Sequence, residues 1–277
     1  MSSVACCGGT RAPEVLATTL KGHEQMVGGH VSYVVSPSGT ARPRTAIVFA
    51  TDIFGFKLLS SRLVADRFAE KGHLVVMPDL FKGTEPPASL MTSISALTGT
   101  GASILTKVVA FLKLLYYFVP FRLRNSQKKS AEIIEASLKA LRENHGVNKV
   151  AIVGYCWGGG VSVKISHKSG AIDAIAPTHA GGLTFPGDVE KITVPAYFVC
   201  PEKDMGIKEP QFKVIQEVQA QQNAAIANAD LKHAAEWFEG VVHGFAVRGD
   251  DADAHTKAMR DRAFEHTAAF FARVFKH

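Results

Sequence analysis

The run Lys149-Val150-Ala151-Ile152-Val153-Gly154-Tyr155-Cys156-Trp157-Gly158-Gly159-Gly160 constrains this chain more than any other stretch. Its opening residues are mostly apolar and β-branched and read as a buried strand. Val161-Ser162-Val163-Lys164-Ile165 reads as the start of a helix. Between them lies G-x-C-x-G, a strand-to-helix turn with cysteine where serine is usual. A turn this tight forces strained backbone angles on its central residue, and neighbours without a Cβ let the chains pack close. It would aim the Trp157 N–H at a developing oxyanion, and the helix N-terminus would favour a thiolate. A structural cysteine in a glycine-rich turn would look the same over five residues, so the rest of the chain has to decide.

The surrounding rhythm is that of an α/β protein. Strands are expected at His30–Val35, Thr45–Ala50, Leu74–Met77, Ala171–Pro177 and Val194–Cys200, with a weaker one at Glu236–Glu239 leading to Val241–Phe245. Helices are expected at about 57–71, 130–144 and 252–275. Strand and helix alternate, which predicts a mostly parallel central sheet with helices on both faces. Residues 1–24 read as an irregular N-terminal arm and 25–277 as one domain. A chain of 277 residues, 47% hydrophobic and 20% charged, has enough apolar surface for one large core.

Of the four cysteines, Cys6 and Cys7 are adjacent, and the pattern is not a secreted disulfide framework. Nor do Cys6 and Cys7 have nearby residues to complete a metal site. No secretory signal pattern is read at the N-terminus, so a reducing, cytoplasmic location is expected. The net charge is +6, and only Arg122, Arg124, Lys128 and Lys129 cluster. No RNA-binding or zinc-finger pattern accompanies them, which excludes nucleic acid from the expected partners.

Residues 84–127 interrupt the alternation. Ile104 to Val119 is strongly apolar, but Lys107 and Lys113 break it and it falls short of the ~20 residues of a spanning helix. The segment is expected to be a buried helix or an apolar cap over a pocket. A membrane is not expected as a partner, and lipid-surface contact is the lesser option.

Three residues fall just after predicted strands, where active groups gather in parallel sheets. They are Cys156, Asp204 in Pro201-Glu202-Lys203-Asp204, and His243 in Val242-His243-Gly244-Phe245. The order nucleophile, acid, histidine is that of an α/β-hydrolase triad. His243 would exchange a proton with Cys156, and Asp204 would orient the imidazole. Glu202 is an alternative to Asp204, and His179, His233 and His255 are alternatives to His243.

Together these motifs resemble the dienelactone hydrolase family of the α/β-hydrolase superfamily. The resemblance runs from about Val27 to Phe275 and rests on Asp52-Ile53-Phe54-Gly55, Met77-Pro78-Asp79-Leu80-Phe81, Gly154-Tyr155-Cys156-Trp157-Gly158-Gly159, Glu202-Lys203-Asp204 and His243-Gly244-Phe245. It implies a Cys156, Asp204 and His243 triad and an oxyanion hole from the N–H groups of Ile53 and Trp157. Bacterial members carry glutamate where this chain has Asp52, and there it contacts the cysteine, so Asp52 is the expected thiol-contacting carboxylate; since aspartate is one methylene shorter, the alternative is that His243 alone primes the thiol. Phe54, His179, Phe245 and Arg248 are expected to bind substrate, with Arg122 and Arg124 as weaker candidates.

The expected function is hydrolysis of a lactone or activated ester through an acyl-enzyme, by a monomer or homodimer. No metal or organic cofactor is implied. Two alternatives stand beside it: a tailoring hydrolase, thioesterase or cyclase acting on a polyketide-like intermediate, and a small-molecule binding or sensor protein on the same fold.

Overall fold

The computed structural model describes residues 20–39, 42–98 and 101–277. Cys6, Cys7 and most of the expected N-terminal arm lie outside them. Among the described residues eight strands form one sheet: β1 (His23–Val27), β2 (His30–Val35), β3 (Thr45–Ala50), β4 (Leu74–Pro78), β5 (Lys149–Tyr155), β6 (Ala174–Thr178), β7 (Tyr197–Lys203) and β8 (Ala234–Val242). Their order is β1-β2-β4-β3-β5-β6-β7-β8. β1 and β2 pair antiparallel with their neighbours, and β4 through β8 run parallel. Among the described residues the sheet thus begins at His23, inside the segment expected to be irregular.

Strand alternation divides the core into two layers. On β3, Ala46, Val48 and Ala50 face one layer, while Ile47 and Phe49 face the other. On β5, Val150 and Ile152 share the first layer, and Ala151, Val153 and Tyr155 the second. Period-two side chains that are apolar on both faces require cover on both faces. Helices α4 (Gln127–Asn144), α5 (Trp157–Ile165) and α7 (Glu209–Ala224) cover the first with Ile134, Val161 and Ile215 among others. Helices α1 (Leu59–Glu70) and α9 (Ala254–Val274) cover the second with Phe68, Phe264 and Phe271. The short helices α6 (Gly187–Glu190) and α8 (Phe245–Arg248) complete this part of the fold.

The apolar insertion is helical, as α2 (Leu90–Thr98) and α3 (Ile104–Arg124). The expectation that 104–119 is a buried helix fails, because only Ala110 and Phe121 of α3 are buried. α3 rests on the domain along one narrow stripe. Phe121 packs edge-on against Phe81 and Trp157, and the Asn125 side chain donates to the Phe121 carbonyl where the helix ends.

The glycines after Cys156 set how closely α5 sits on the sheet. The Gly158 N–H donates to the Thr51 carbonyl at the end of β3, 3.0 Å away. A Cβ on Gly158 would drive into the Ala50 carbonyl, and one on Gly154 into the Gly158 carbonyl. These are backbone obstacles, which a rotamer change cannot relieve. Gly158→Ala is therefore expected to destabilise the protein by about 3 kcal/mol, lowering the melting temperature by several degrees. A melting curve that overlays the wild type would show that the contact is not tight.

Candidate active site

Cys156 stands between β5 and α5 with φ 51° and ψ −108°. A left-handed φ is costly for a residue with a Cβ, and here hydrogen bonds on both sides hold it. The Cys156 N–H donates to the Thr178 carbonyl at 3.0 Å, and the Cys156 carbonyl accepts from the Gly181 N–H at 2.8 Å. The elbow is thereby tied to the end of β6 as well as to β3. The Cys156 side chain remains partly accessible, whereas Cys200, on β7, is buried and burial pushes its thiol pKa up.

Asp204 leaves the end of β7, and His243 follows β8. The His243 N–H donates to the Lys203 carbonyl, which fixes the two loops against each other. His243 Nδ1 lies 2.8 Å from Asp204 Oδ2, while Asp204 Oδ1 accepts from the Gly206 and Ile207 N–H groups at 2.6 and 3.2 Å. Burial opposes ionisation of Asp204, but the hydrogen bond and charge of His243 and the two N–H groups outweigh it and lower its pKa. An ionised carboxylate only accepts, so Nδ1 carries the proton. Burial pulls the pKa of the imidazole down, and the hydrogen bond to Asp204, the influence of the nearby Cys156 side chain and the Asp204 charge reverse this and raise it to about 10.

Ile53 and Trp157 sit at the carboxyl ends of the neighbouring strands β3 and β5. Asp52 shapes the first of these turns: its Oδ1 accepts from the Phe54 N–H at 2.9 Å and its carbonyl from the Gly55 N–H at 3.2 Å. Among the described residues, neither the Ile53 nor the Trp157 N–H donates to a protein acceptor. The Trp157 side chain is anchored independently, through an indole N–H bond of 2.9 Å to Ser130 Oγ.

Asp52 is wholly buried, and its Oδ2 lies 2.8 Å from Arg248 Nε. The distance is that of an ion pair, but the N–H does not point at the oxygen, so neither atom counts as hydrogen-bonded. Arg248 is further braced by the Phe54 ring, 4.9 Å from its Cζ. One carboxylate oxygen of Asp52 thus serves its own turn, and the other faces Arg248.

His179 and Phe245 are both buried, behind His243. Gly244, at φ 88°, turns the chain after His243 and sends Phe245 into the core. The His179 ring lies 4.8 Å from that of His243, and neither of its nitrogens has a partner among the described residues. Burial, and then the charges of His243 and Arg248, hold its pKa well below the ordinary value. His179 is thus a neutral wall behind the imidazole.

Glu202 turns away, accepting from the Gly240 N–H, and His255 bonds the Glu239 carbonyl. His233 is buried beside an open recess of about 390 Å³ at the amino-terminal edge of the sheet, away from Cys156. Two contributors had no signal in the sequence: Ser130, which holds Trp157, and Gln127, whose side chain donates to the Gly181 carbonyl at 2.9 Å.

The shifts of Asp204 and His243 dictate a pH dependence. Asp204 is held below its ordinary 3.8, so its contribution is present above that pH and is lost as pH falls through the lower folded value. His243 is held above 6.5, so its contribution is complete below 6.5 and is lost as pH rises toward about 10. Asp204→Asn should therefore cost about 2 kcal/mol of stability in the window where both contributions are complete. Denaturant titrations should show the gap narrowing from pH 6.5 upward, and a gap independent of pH would contradict the assignment.

Comparison with known proteins agrees with this arrangement of strands and loops. Residues 31–275 match the model of the dienelactone hydrolase family. Hydrolase pyvD of Aspergillus violaceofuscus is 27% identical over 90% of this chain and 89% of its own length. The carboxymethylenebutenolidase homolog of Mus musculus is 29% identical over 82% of this chain and 80% of its own length. Among solved structures, a Klebsiella pneumoniae protein described provisionally as a dienelactone hydrolase superposes with a TM-score of 0.66 at 16% identity, covering 91% of this chain and 98% of that one. That likeness establishes the shared fold, a mixed sheet with helices on both sides. The family match covers nearly every described element, and the chain belongs to the dienelactone hydrolase family.

Proposed function

We propose that this protein hydrolyses a lactone or activated carboxylic ester through Cys156, His243 and Asp204. The observation that carries the reading is His243, hydrogen-bonded to Asp204 and close enough to Cys156 for that side chain to act on it, at the carboxyl edge of the sheet. His243 holds the thiol proton as imidazolium, and the thiolate attacks the substrate carbonyl carbon. The Ile53 and Trp157 N–H groups receive the oxyanion. As the tetrahedral intermediate collapses, the C–O bond breaks and His243 returns the proton to the leaving oxygen, giving a thioester on Cys156. His243 then deprotonates a water, whose oxygen attacks the thioester. The acid leaves and the sulfur regains its proton. Asp204 stabilises imidazolium in both halves.

The choice of leaving group follows from sulfur chemistry. A thiolate is expelled from a tetrahedral intermediate more easily than an alkoxide or amide. Productive turnover therefore needs a leaving group at least as good, as in enol lactones and aryl esters. Asp52 acts on the oxyanion turn and on Arg248, and the thiol is primed by His243. The match to a family that includes carboxymethylenebutenolidase homologs favours lactones among these substrates.

The test is hydrolysis of p-nitrophenyl acetate and of a dienelactone by the wild type and Cys156→Ala. The variant should lose at least about a thousandfold in kcat/KM on both, with an unchanged melting temperature. Retention of wild-type rates by pure Cys156→Ala would dismiss the thiol as nucleophile.

A further inference from the structure

We propose that helix α3 (Ile104–Arg124) docks the protein on an anionic membrane surface, lying flat with its outer face among the lipids. The helix rests on the domain through Ala110, Leu114 and Phe121, and Phe118 lies on the same stripe, packed beside Phe121. On the opposite side, Leu105, Val109, Leu112, Tyr116, Val119 and Leu123 form a second stripe at the same spacing. Four of these are more than half exposed: Leu105 at 73%, Leu112 at 58%, Tyr116 at 74% and Leu123 at 81%. A continuous apolar face of this length on a water-soluble surface marks an interaction site.

Charge identifies what covers it. From residue 86 to residue 131 the chain has no Asp or Glu, yet it carries Lys107, Lys113, Arg122, Arg124, Lys128 and Lys129. Those six account for the whole net charge of +6. None of them forms an ion pair among the described residues. At about 100° per residue, Lys113 and Arg124 flank the outer stripe on one side. There their long side chains can reach headgroup phosphates while the apolar face sits among acyl chains. Arg122, on the other side, lies over the Trp157 ring at 5.2 Å. Tyr116 adds an aromatic ring of the kind found at membrane interfaces.

The same charges argue against the competing occupant, a second copy of this chain. Paired helices place oppositely charged residues beside an apolar seam, and this segment has only cations to offer its twin. The helix is also long and apolar enough to span a bilayer. It is held flat instead: Phe121 is wedged against Phe81 and Trp157, and α4 begins at Gln127 with Ser130 bonded to Trp157. Docking through α3 would bring the Trp157 side of the elbow toward the membrane, where apolar esters and lactones accumulate.

The test is flotation of the full chain with vesicles of phosphatidylcholine mixed with phosphatidylserine, and with pure phosphatidylcholine. The wild type should partition to the mixed vesicles at least about tenfold more strongly, and the preference should fall with salt. L105Q/L112Q alters only exposed side chains and should lower partitioning by about tenfold or more at an unchanged melting temperature. K113Q/R124Q should reduce the preference for mixed vesicles by about fivefold or more. Failure of the wild type to float, or equal partitioning to both vesicles, overturns the proposal. So does a dimer in sedimentation velocity that L105Q/L112Q dissociates while no vesicle binding occurs. None of these readouts requires catalysis, so they stand apart from the hydrolase test.

Discussion

The hydrogen bond from the Gly158 N–H to the Thr51 carbonyl is the joint on which the site is built. It holds the first turn of α5 against the end of β3 at a separation that a Cβ would forbid. Both turns of the proposed oxyanion hole are attached to this joint. Ile53 lies two residues after Thr51, and Trp157 directly precedes Gly158. The positive φ of Cys156 is a consequence, since the chain must turn sharply between the last ladder bond of β5 and this contact. The Thr178 and Gly181 bonds hold that strained residue in place, so the adjacent strands β3, β5 and β6 all bear on one side chain.

Electrostatics complete the arrangement by separating two buried aspartates into different tasks. Asp204 faces His243 and two N–H groups, and it stays ionised because those donors outweigh its burial. Asp52 faces a guanidinium and the Phe54 N–H, and so shapes a turn. Behind His243, the His179 ring stays neutral because its burial disfavours the charged form, and then because a second imidazolium beside the first would be repelled. The positive charge at the base of the site is thereby confined to His243 and Arg248.

Much of the fold was legible because it depends on local pattern. The doubly apolar runs of β3, β4 and β5 announce buried parallel strands, and the glycines around Cys156 announce the elbow. The residues that follow β5, β7 and β8 were legible too, since a parallel sheet gathers its strand ends at one edge. Helix α7 gave little signal: its Gln- and Ala-rich sequence buries only Phe212, Ile215, Val218 and Gln219. The Asp52–Arg248 pair joins residues far apart in sequence and has no local signature. The burial of His179 and Phe245 depends on which way the loops after β6 and β8 turn. The exposure of α3 was misread because apolar composition specifies the need for cover and leaves the identity of that cover open.

The central claim is that the Cys156 sulfur becomes covalently acylated during turnover. Rapid acid quenching of the wild type with p-nitrophenyl acetate, followed by peptide mass spectrometry, tests it directly. The account predicts an acetyl mass increment on the peptide containing Cys156, formed and lost at rates consistent with turnover. Turnover with no increment on that peptide, or with the acyl group carried on another side chain, would contradict it.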